Sequence, residues 1–349
     1  MSYIDTRNEK LRELHSIYSK DISDYIVSLS DIRLLNRISS VSKNKGVELS
    51  TFNVFPFKYS RLDHSFGVAC ILEHFKQDIL HITMGLLHEA HKPSFSFSVD
   101  YLIDYFKLKD YEKKTLFDVL VNSKSYLDNS LSREVSIADL VNYKKYKLGF
   151  ATFPKLSAET LEFILYNAYF TNLCESKEIE ELYNNISICK NEENDEEFCF
   201  TDISLATKFF KISLEIGRKR RSYEAKITEQ LIADVLMLMI RREEISIDDL
   251  YKYSDDELIA LGKSSTDKRI QEGWQEIENL CKVYTKFTPT NDRLKYCVKV
   301  EDRSIYIDPL IKTKMGNFRL SSISENVERE IKNYFETDTD MYMYIDYEL

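Results

Sequence analysis

The chain has 349 residues, of which 43% are apolar and 30% are charged, and its formal net charge at pH 7 is −10. This composition is typical of a folded globular protein and excludes general disorder. The negative charge disfavours an extended nucleic-acid-binding surface. No apolar segment approaches the roughly 18 residues that a membrane span needs, and the amino terminus does not resemble a signal peptide. With six scattered cysteines and no Cys-x-x-Cys pair, these features predict a cytoplasmic protein that has reduced thiols and no membrane contact.

Helices dominate the predicted secondary structure. Only 8 glycines and 5 prolines occur in the chain, so turns are scarce, and long segments rich in Leu, Ile, Glu and Lys favour helices joined by short loops. The spacing of apolar residues predicts helices over residues 10–38, 62–77, 79–91, 98–106, 111–123, 136–146, 157–185, 202–242, 247–261, 267–285 and 325–335.

Strands are predicted mainly near the carboxyl terminus. Alternating apolar residues at 296–300 and 304–307 are typical of short strands, residues 47–57 are a candidate extended segment, and the charged run 190–197 predicts a solvent-exposed loop. The sequence therefore predicts an all-α fold with a few short strands. We expect a helical core over residues 1–190 that contains the candidate site. A carboxy-terminal helical region over residues 198–349 is expected to complete the pocket and to pack as one unit with the core.

Five of the six histidines lie between residues 64 and 91. His88 and Glu89 end a predicted apolar helix, and Asp139 lies in another apolar segment. Burial of such polar groups is costly unless partners compensate for the lost hydration. Imidazole and carboxylate together form a ligand set suited to Mn, Mg, Fe, Ni or Zn. The sequence therefore predicts a divalent metal site, whereas His74 and His81 match no motif and are expected to pack.

Several short motifs follow one another along most of the chain. They are Val54-Phe-Pro56 with Arg61-Leu-Asp-His-Ser-Phe-Gly-Val68, Gly85-Leu-Leu-His-Glu-Ala-His91 before Pro93, Asp139 with Tyr143, Arg220-Arg-Ser-Tyr-Glu-Ala-Lys226, and Ile307-Asp-Pro-Leu310 with Arg319-Leu-Ser-Ser-Ile-Ser324. In this order and spacing they resemble the HD superfamily of metal-dependent phosphohydrolases, and in particular its deoxynucleoside triphosphate triphosphohydrolases. That superfamily holds its metal with an H…HD…D pattern spread over three helices.

The resemblance implies a fold, a cofactor and a substrate. The divalent metal ion would be held by His64, His88, Glu89 and Asp139, with His91 and Glu89 on the catalytic side. Contacts to the substrate, a nucleotide and most typically a (deoxy)nucleoside triphosphate, would come from Arg61, Tyr143, Arg221, Tyr223 and Lys226. The resemblance also implies a homo-oligomer. A nucleoside monophosphate or a modified nucleotide is a further candidate substrate.

The chain departs from the family pattern at several positions. Glu89 stands where the family has an aspartate, and Ser96 and Phe97 stand near the position of a second catalytic histidine. Glu215 occupies the position of an arginine that contacts the terminal phosphate, where a carboxylate would repel a triphosphate. These departures motivate an alternative: a catalytically degenerate HD protein that binds a nucleotide or a protein partner as a sensor or regulator.

Overall fold

The computed structural model describes residues 7–30, 35–42, 59–106, 111–127, 135–289, 295–300, 304–336 and 341–347. Within these ranges the fold is mainly helical, with short strands in the carboxy-terminal half, which confirms the predicted fold class. In the same ranges, no helix combines the length and the apolar content that crossing a bilayer requires. The candidate extended segment at 47–57, with its Val54–Pro56 motif, lies outside the described residues.

Short helices alternate with longer ones in the first half of the chain. Their bounds are α1 Glu9–Tyr18, α2 Asp24–Ser30, α3 Asn36–Ser39, α4 Arg61–His74, α5 Ile79–Leu87, α6 Ser96–Phe106, α7 Tyr111–Val121, α8 Lys124–Leu127, α9 Ile137–Val141, α10 Ala158–Phe170 and α11 Ser176–Asn184. A 3-10 helix, Tyr143–Lys145, follows α9.

The second half adds longer helices and two small sheets. The helices are α12 Ile203–Arg220, α13 Tyr223–Arg241, the 3-10 helix Ile247–Tyr251, α14 Asp255–Lys263, α15 Lys268–Asn279, α16 Leu320–Ile323 and α17 Glu325–Glu336. The strands are β1 Ile186–Lys190, β2 Glu196–Phe200, β3 Tyr284–Lys286, β4 Tyr296–Val298, β5 Leu310–Thr313, β6 Gly316–Arg319 and β7 Tyr342–Ile345.

One sheet is mixed and the other is antiparallel. The first has the order β1-β2-β5-β6, in which β2 and β5 run parallel with Cys199 opposite Leu310, and the two outer pairs are antiparallel. The second has the order β3-β7-β4, with β7 antiparallel to both neighbours. Arg319 of β6 donates to the buried Glu197 carboxylate of β2 at 2.6 and 2.7 Å, so an ion pair joins β6 to β2 across the first sheet.

Two large hydrophobic cores stabilise the described part of the fold. The larger core contains α1, α4, α5, α10 and α12 together with Ile307, Leu320 and Tyr334. The smaller core joins Phe95 and α6 to α13, α14, α15 and the second sheet. Each core therefore combines residues from both sides of the predicted division between residues 190 and 198. That division stays a prediction.

Local capping divides several predicted helices. The range 202–242 contains two helices because the Ser222 side chain caps α13 by accepting the Ala225 N–H at 3.2 Å. The range 157–185 is interrupted after Phe170, where Asn172 has a φ of +55°. Residues 10–38 contain α1, α2 and part of α3. The prediction of a loop over 190–197 was wrong at its ends, because Lys190 pairs with Glu196 in a hairpin.

The segment after α5 is anchored to the carboxy-terminal region. The buried carboxylate of Asp255, which begins α14, accepts the N–H of Ser42 at 2.7 Å and the N–H of Phe95 at 3.1 Å. Ser94 donates its N–H to the Leu250 carbonyl at 2.9 Å. Phe95 has a φ of +51°, a left-handed conformation that costs energy for a residue with a side chain and persists only when its surroundings hold it. These contacts fix the start of α6.

Candidate metal centre

Arg61 and His64 lie on the first turn of α4. Ser60 caps this helix: its side chain accepts the N–H of Asp63 at 3.1 Å, and the Asp63 carboxylate accepts the N–H of Ser60 at 2.7 Å. This reciprocal pair is a capping box, which fixes where a helix begins. Since residues three apart share a helix face, Arg61 and His64 leave α4 on the same side, and both are buried.

His88 lies directly after α5, which packs closely on α4. A Cβ atom at Gly85 would lie 3.2 Å from the backbone of Ala69, so glycine allows the two helices this approach. The Nδ1 atom of His88 donates to the Gly85 carbonyl at 2.7 Å. A carbonyl oxygen only accepts, so the proton is on Nδ1 and Nε2 keeps its lone pair. His88 is thus prepared to bind a metal through Nε2.

Glu162 orients the imidazole of His64. The buried carboxylate of Glu162, on α10, accepts a hydrogen bond from His64 Nδ1 through Oε2 and one from the Tyr59 hydroxyl through Oε1. A carboxylate hydrogen-bonded to one nitrogen of a histidine is the arrangement that fixes the tautomer of metal-binding histidines. Burial, and then the charge of Glu162, raise the pKa of Tyr59 well above its usual value, so the phenol stays a donor.

Gly67 makes room for that glutamate. A Cβ atom at Gly67 would lie 2.9 Å from Cγ of Glu162 and 3.0 Å from its Oε1. Gly67 lies three residues after His64, on the same face of α4. The absent side chain lets α10 bring its carboxylate to the histidine.

Four residues form a group that is able to hold a cation. Ligating atoms of His64, His88, Glu89 and Glu159 all lie within 4.8 Å of one another, and the first three side chains are buried. The ring centroids of His64 and His88 are 5.4 Å apart, and Nε2 of His88 is 3.7 Å from Oε1 of Glu89. Two imidazoles with fixed tautomers and two carboxylates are a donor set that fits a divalent transition metal. The group therefore fits the cofactor that the sequence predicts.

Arg61 balances the charge of this group. Its guanidinium donates to Glu89 Oε2 through Nη1 and to the Ser96 hydroxyl through Nη2. Arg37, which is half-buried, donates to the Lys92 carbonyl. Burial, and then the charge of Arg61, lower the pKa of Arg37 to about 10, which leaves it protonated at neutral pH. Two cationic side chains, Arg37 and Arg61, therefore lie beside the carboxylates of the four-residue group.

A cavity of about 300 Å³ opens from the group. His64, Glu89 and Glu159 lie at its polar end, where Arg61 and Lys92 also reach it. Its apolar wall is formed by Ala151, Phe153, Phe163, Ile305 and Phe97. The cavity thus combines a site for a cation, groups that bind anions, and an apolar surface.

Asp139 is not brought into the group. It is exposed on the short helix α9, which packs against α5, so the sequence-based expectation of an aspartate buried beside the core was wrong. Its ligation of a metal stays a prediction. In the structure the fourth member of the group is Glu159, and Phe163, four residues later, also lines the cavity. Asp139 and Tyr143 are also four positions apart, so both pairs combine an acidic residue and an aromatic residue at the same spacing.

His91 and Tyr143 lie near the group but do not line the cavity. Both are buried. The ring of Tyr143 is 5.9 Å from that of His88 and 6.5 Å from that of His91, measured between centroids. Phe150 completes this aromatic layer at 4.8 Å from Tyr143. The catalytic role predicted for His91 and the substrate contact predicted for Tyr143 stay predictions.

Arg221, Tyr223 and Lys226 also lie outside the set of residues that line the cavity. Arg221 is buried, donates to the Tyr334 carbonyl, and has its guanidinium carbon 4.4 Å from the centre of the Tyr334 ring. It therefore joins α12 to α17. Its neighbour Arg220 comes closer to the cavity, since its guanidinium carbon lies 4.0 Å from the ring centre of Phe97.

Sequence reasoning did not find Glu159 and Glu162. The signal was present, because both stand on a strongly apolar helical segment, as His88 and Glu89 do. They are three positions apart, so they share one face of α10. His74 and His81 do not join the group: His74 packs 4.9 Å from the Phe75 ring centre, and His81 stacks on Tyr146 at 3.6 Å.

The fold resembles solved structures, although the sequence matches no family model and no curated protein. A hypothetical protein from Aquifex aeolicus superimposes with a TM-score of 0.60 at 15% identity, over 93% of each chain. A phosphohydrolase from Bacteroides thetaiotaomicron superimposes with a TM-score of 0.51 at 11% identity, over 94% of this chain and 97% of its own. At these identities the likeness concerns the fold.

Proposed function

We propose that this protein is a metal-dependent phosphohydrolase that acts on nucleotides. The observation that carries the proposal is the group of His64, His88, Glu89 and Glu159 at the end of a cavity that Arg61 also lines. The fold shared with a protein named a phosphohydrolase is in accord with it. So are the motifs that resemble the HD triphosphohydrolases.

Different residues of the chain have different roles in such a reaction. A divalent cation bound here would lower the pKa of a water molecule and would offset negative charge on the phosphoryl oxygens. His64 and His88 present Nε2 to that position, because Glu162 and the Gly85 carbonyl hold their Nδ1 atoms. Arg61 presents N–H donors whose planar geometry matches a phosphoryl group. Its bonds to Glu89 and Ser96 hold it in place before substrate arrives.

The apolar wall gives the cavity a surface for the rest of a nucleotide. Phenyl rings stack favourably on flat aromatic groups such as nucleobases. Phe97, Phe153 and Phe163 line the cavity together with Ile305. A phosphate at the polar end and a base on the phenylalanines use both halves of the cavity.

The first experiment is a metal analysis of the purified chain followed by a hydrolysis assay with Mn²⁺ or Mg²⁺. Deoxynucleotides and ribonucleotides that carry one, two or three phosphates are tested, and the products are identified. We expect bound metal and turnover in the wild type, with loss of both in His88→Ala. A folded wild-type protein that holds no metal and leaves every nucleotide intact would contradict the proposal.

A second candidate function is nucleotide binding without turnover. It is favoured by the ion pair that places the Arg61 guanidinium on the Glu89 carboxylate, since a paired carboxylate oxygen is less available to a metal. Saturable nucleotide binding with no product from any nucleotide would support this candidate. The expected homo-oligomer and cytoplasmic location stay predictions, and gel filtration tests the first.

A further inference from the structure

The size of the cavity restricts the substrate. Its volume of about 300 Å³ lies at the lower end of the range of about 300–1,000 Å³ that small-molecule sites span. A nucleoside with a single phosphate occupies less of this volume than a nucleoside with three phosphates. Two further phosphoryl groups would have to extend through the opening of the cavity.

The charged side chains that line the cavity also favour a substrate with a single phosphate. Among the described residues these are two cations, Arg61 and Lys92, and three carboxylates, Glu89, Asp100 and Glu159. A divalent cation in the group changes this net charge from −1 to +1. A phosphomonoester, with a charge of about −1.5 to −2 at pH 7, matches such a site, whereas each added phosphoryl group brings more negative charge.

The position of Asp100 strengthens this argument. It lies on α6 and is exposed, yet it lines the cavity, so it is where the cavity meets solvent. A carboxylate there repels additional phosphates. Arg221 and Lys226, for which the motif resemblance implies substrate contacts, do not line the cavity.

The apolar wall of the cavity offers a surface for the nucleobase of the ligand. Phe97, Phe153 and Phe163 lie along the cavity, and the guanidinium of Arg220 covers Phe97 at 4.0 Å from its ring centre. A ring supported in this way is a firm stacking surface for a second aromatic group.

We propose that the substrate is a nucleoside monophosphate, a proposal that rests on the phosphohydrolase function above. In the reaction the oxygen of a water molecule forms a bond to phosphorus and the phosphorus–oxygen ester bond breaks. One proton of that water ends on the released nucleoside hydroxyl. The products are a nucleoside and inorganic phosphate.

The test compares dAMP, dADP and dATP with the full-length chain and Mn²⁺. We expect kcat/KM for dAMP to exceed that for dATP at least tenfold, with deoxyadenosine and inorganic phosphate as products. Equal or faster turnover of dATP with release of inorganic triphosphate would overturn the inference and leave the phosphohydrolase function standing. Turnover of no nucleotide would overturn both.

Two further measurements test the charge argument. Asp100→Lys should raise kcat/KM for dATP relative to dAMP at least fivefold, whereas Asp118→Lys, an exposed aspartate on α7 away from the cavity, should leave the ratio unchanged. With Mn²⁺ present, KM should be at least fivefold lower for dAMP than for dATP. An unchanged ratio in Asp100→Lys, or a lower KM for dATP, would overturn the inference.

Discussion

The Nδ1 atom of His64 on α4 and the Oε2 atom of Glu162 on α10 are joined by a hydrogen bond in a site that excludes solvent. These residues are 98 positions apart in the chain. The bond orients one of the two imidazoles of the candidate metal centre. It therefore makes metal binding depend on the packing of two helices.

Replacement of Glu162 by glutamine should weaken metal binding through His64. Loss of an outer partner of a metal-binding histidine typically costs about 10–100-fold in metal affinity, and we expect a loss in that range for Mn²⁺ in Glu162→Gln. Calorimetric titration measures it, with circular dichroism to verify folding. Tyr59→Phe, which removes only the hydroxyl donor of the same carboxylate, should have a smaller effect. An unchanged Kd in a folded Glu162→Gln protein would show that His64 needs no such partner.

Glu159 and Asp139 are rival candidates for the acidic ligand. Because Glu159 belongs to the group within 4.8 Å and Asp139 does not, Glu159→Gln should raise the Kd for Mn²⁺ at least tenfold and Asp139→Asn should leave it within about twofold. Parallel titrations of the two variants decide between them. The reverse pattern would return the ligand role to Asp139.

A methyl group at Gly67 should disturb the centre indirectly. The added Cβ would lie 2.9 Å from Glu162 Cγ, and overpacking of a buried site costs about 1–3 kcal/mol. We expect Gly67→Ala to lower the free energy of unfolding by that amount and to weaken metal binding. In a Glu162→Ala background the clash is absent, so the same substitution should cost less. Equal costs in both backgrounds would show that Glu162 is not what Gly67 accommodates.

Stability should fall in mild acid because of His15. Its ring is fully buried, 5.1 Å from the Phe66 ring centre, and burial, followed by the charge of Arg7, holds its pKa well below the usual 6.5. Below pH 6.5 the unfolded chain binds a proton at His15 that the folded chain does not. Stability is therefore lost as the pH falls, by up to about 1.4 kcal/mol per pH unit.

Urea titrations at pH 7.5 and 5.5 measure this contribution. The difference in unfolding free energy between the two pH values should be smaller in His15→Gln than in the wild type by about 1 kcal/mol. His81→Gln, which removes a partly exposed imidazole, is the control and should reproduce the wild-type difference more closely. If His15→Gln retained the full wild-type difference, the titrating group would lie elsewhere.

The helical class and three of the four residues of the candidate metal group followed from local sequence. Apolar periodicity and the scarcity of glycine and proline predicted the helices, since both act through neighbouring residues on one segment. The clustering of His64, His88 and Glu89 was visible for a similar reason: His64 lies on α4, and His88 and Glu89 directly follow the next helix, α5. Helix boundaries were less accurate, because single caps such as Ser222 decide them.

The identity of the acidic partners depended on the tertiary structure. Asp139 and Glu159 both interrupt apolar segments, so pattern alone did not distinguish them, and the packing of α10 against α4 placed Glu159 in the group. The family resemblance also implies that Arg221 contacts the substrate, which stays a prediction. In the structure Arg221 contacts Tyr334 of α17. The sequence by itself determined which residue types were available for a metal and a phosphate. Only the packing of distant helices decided which of them meet, because a ligand set requires atoms within a few ångströms and sequence spacing constrains such distances only within one helix or turn.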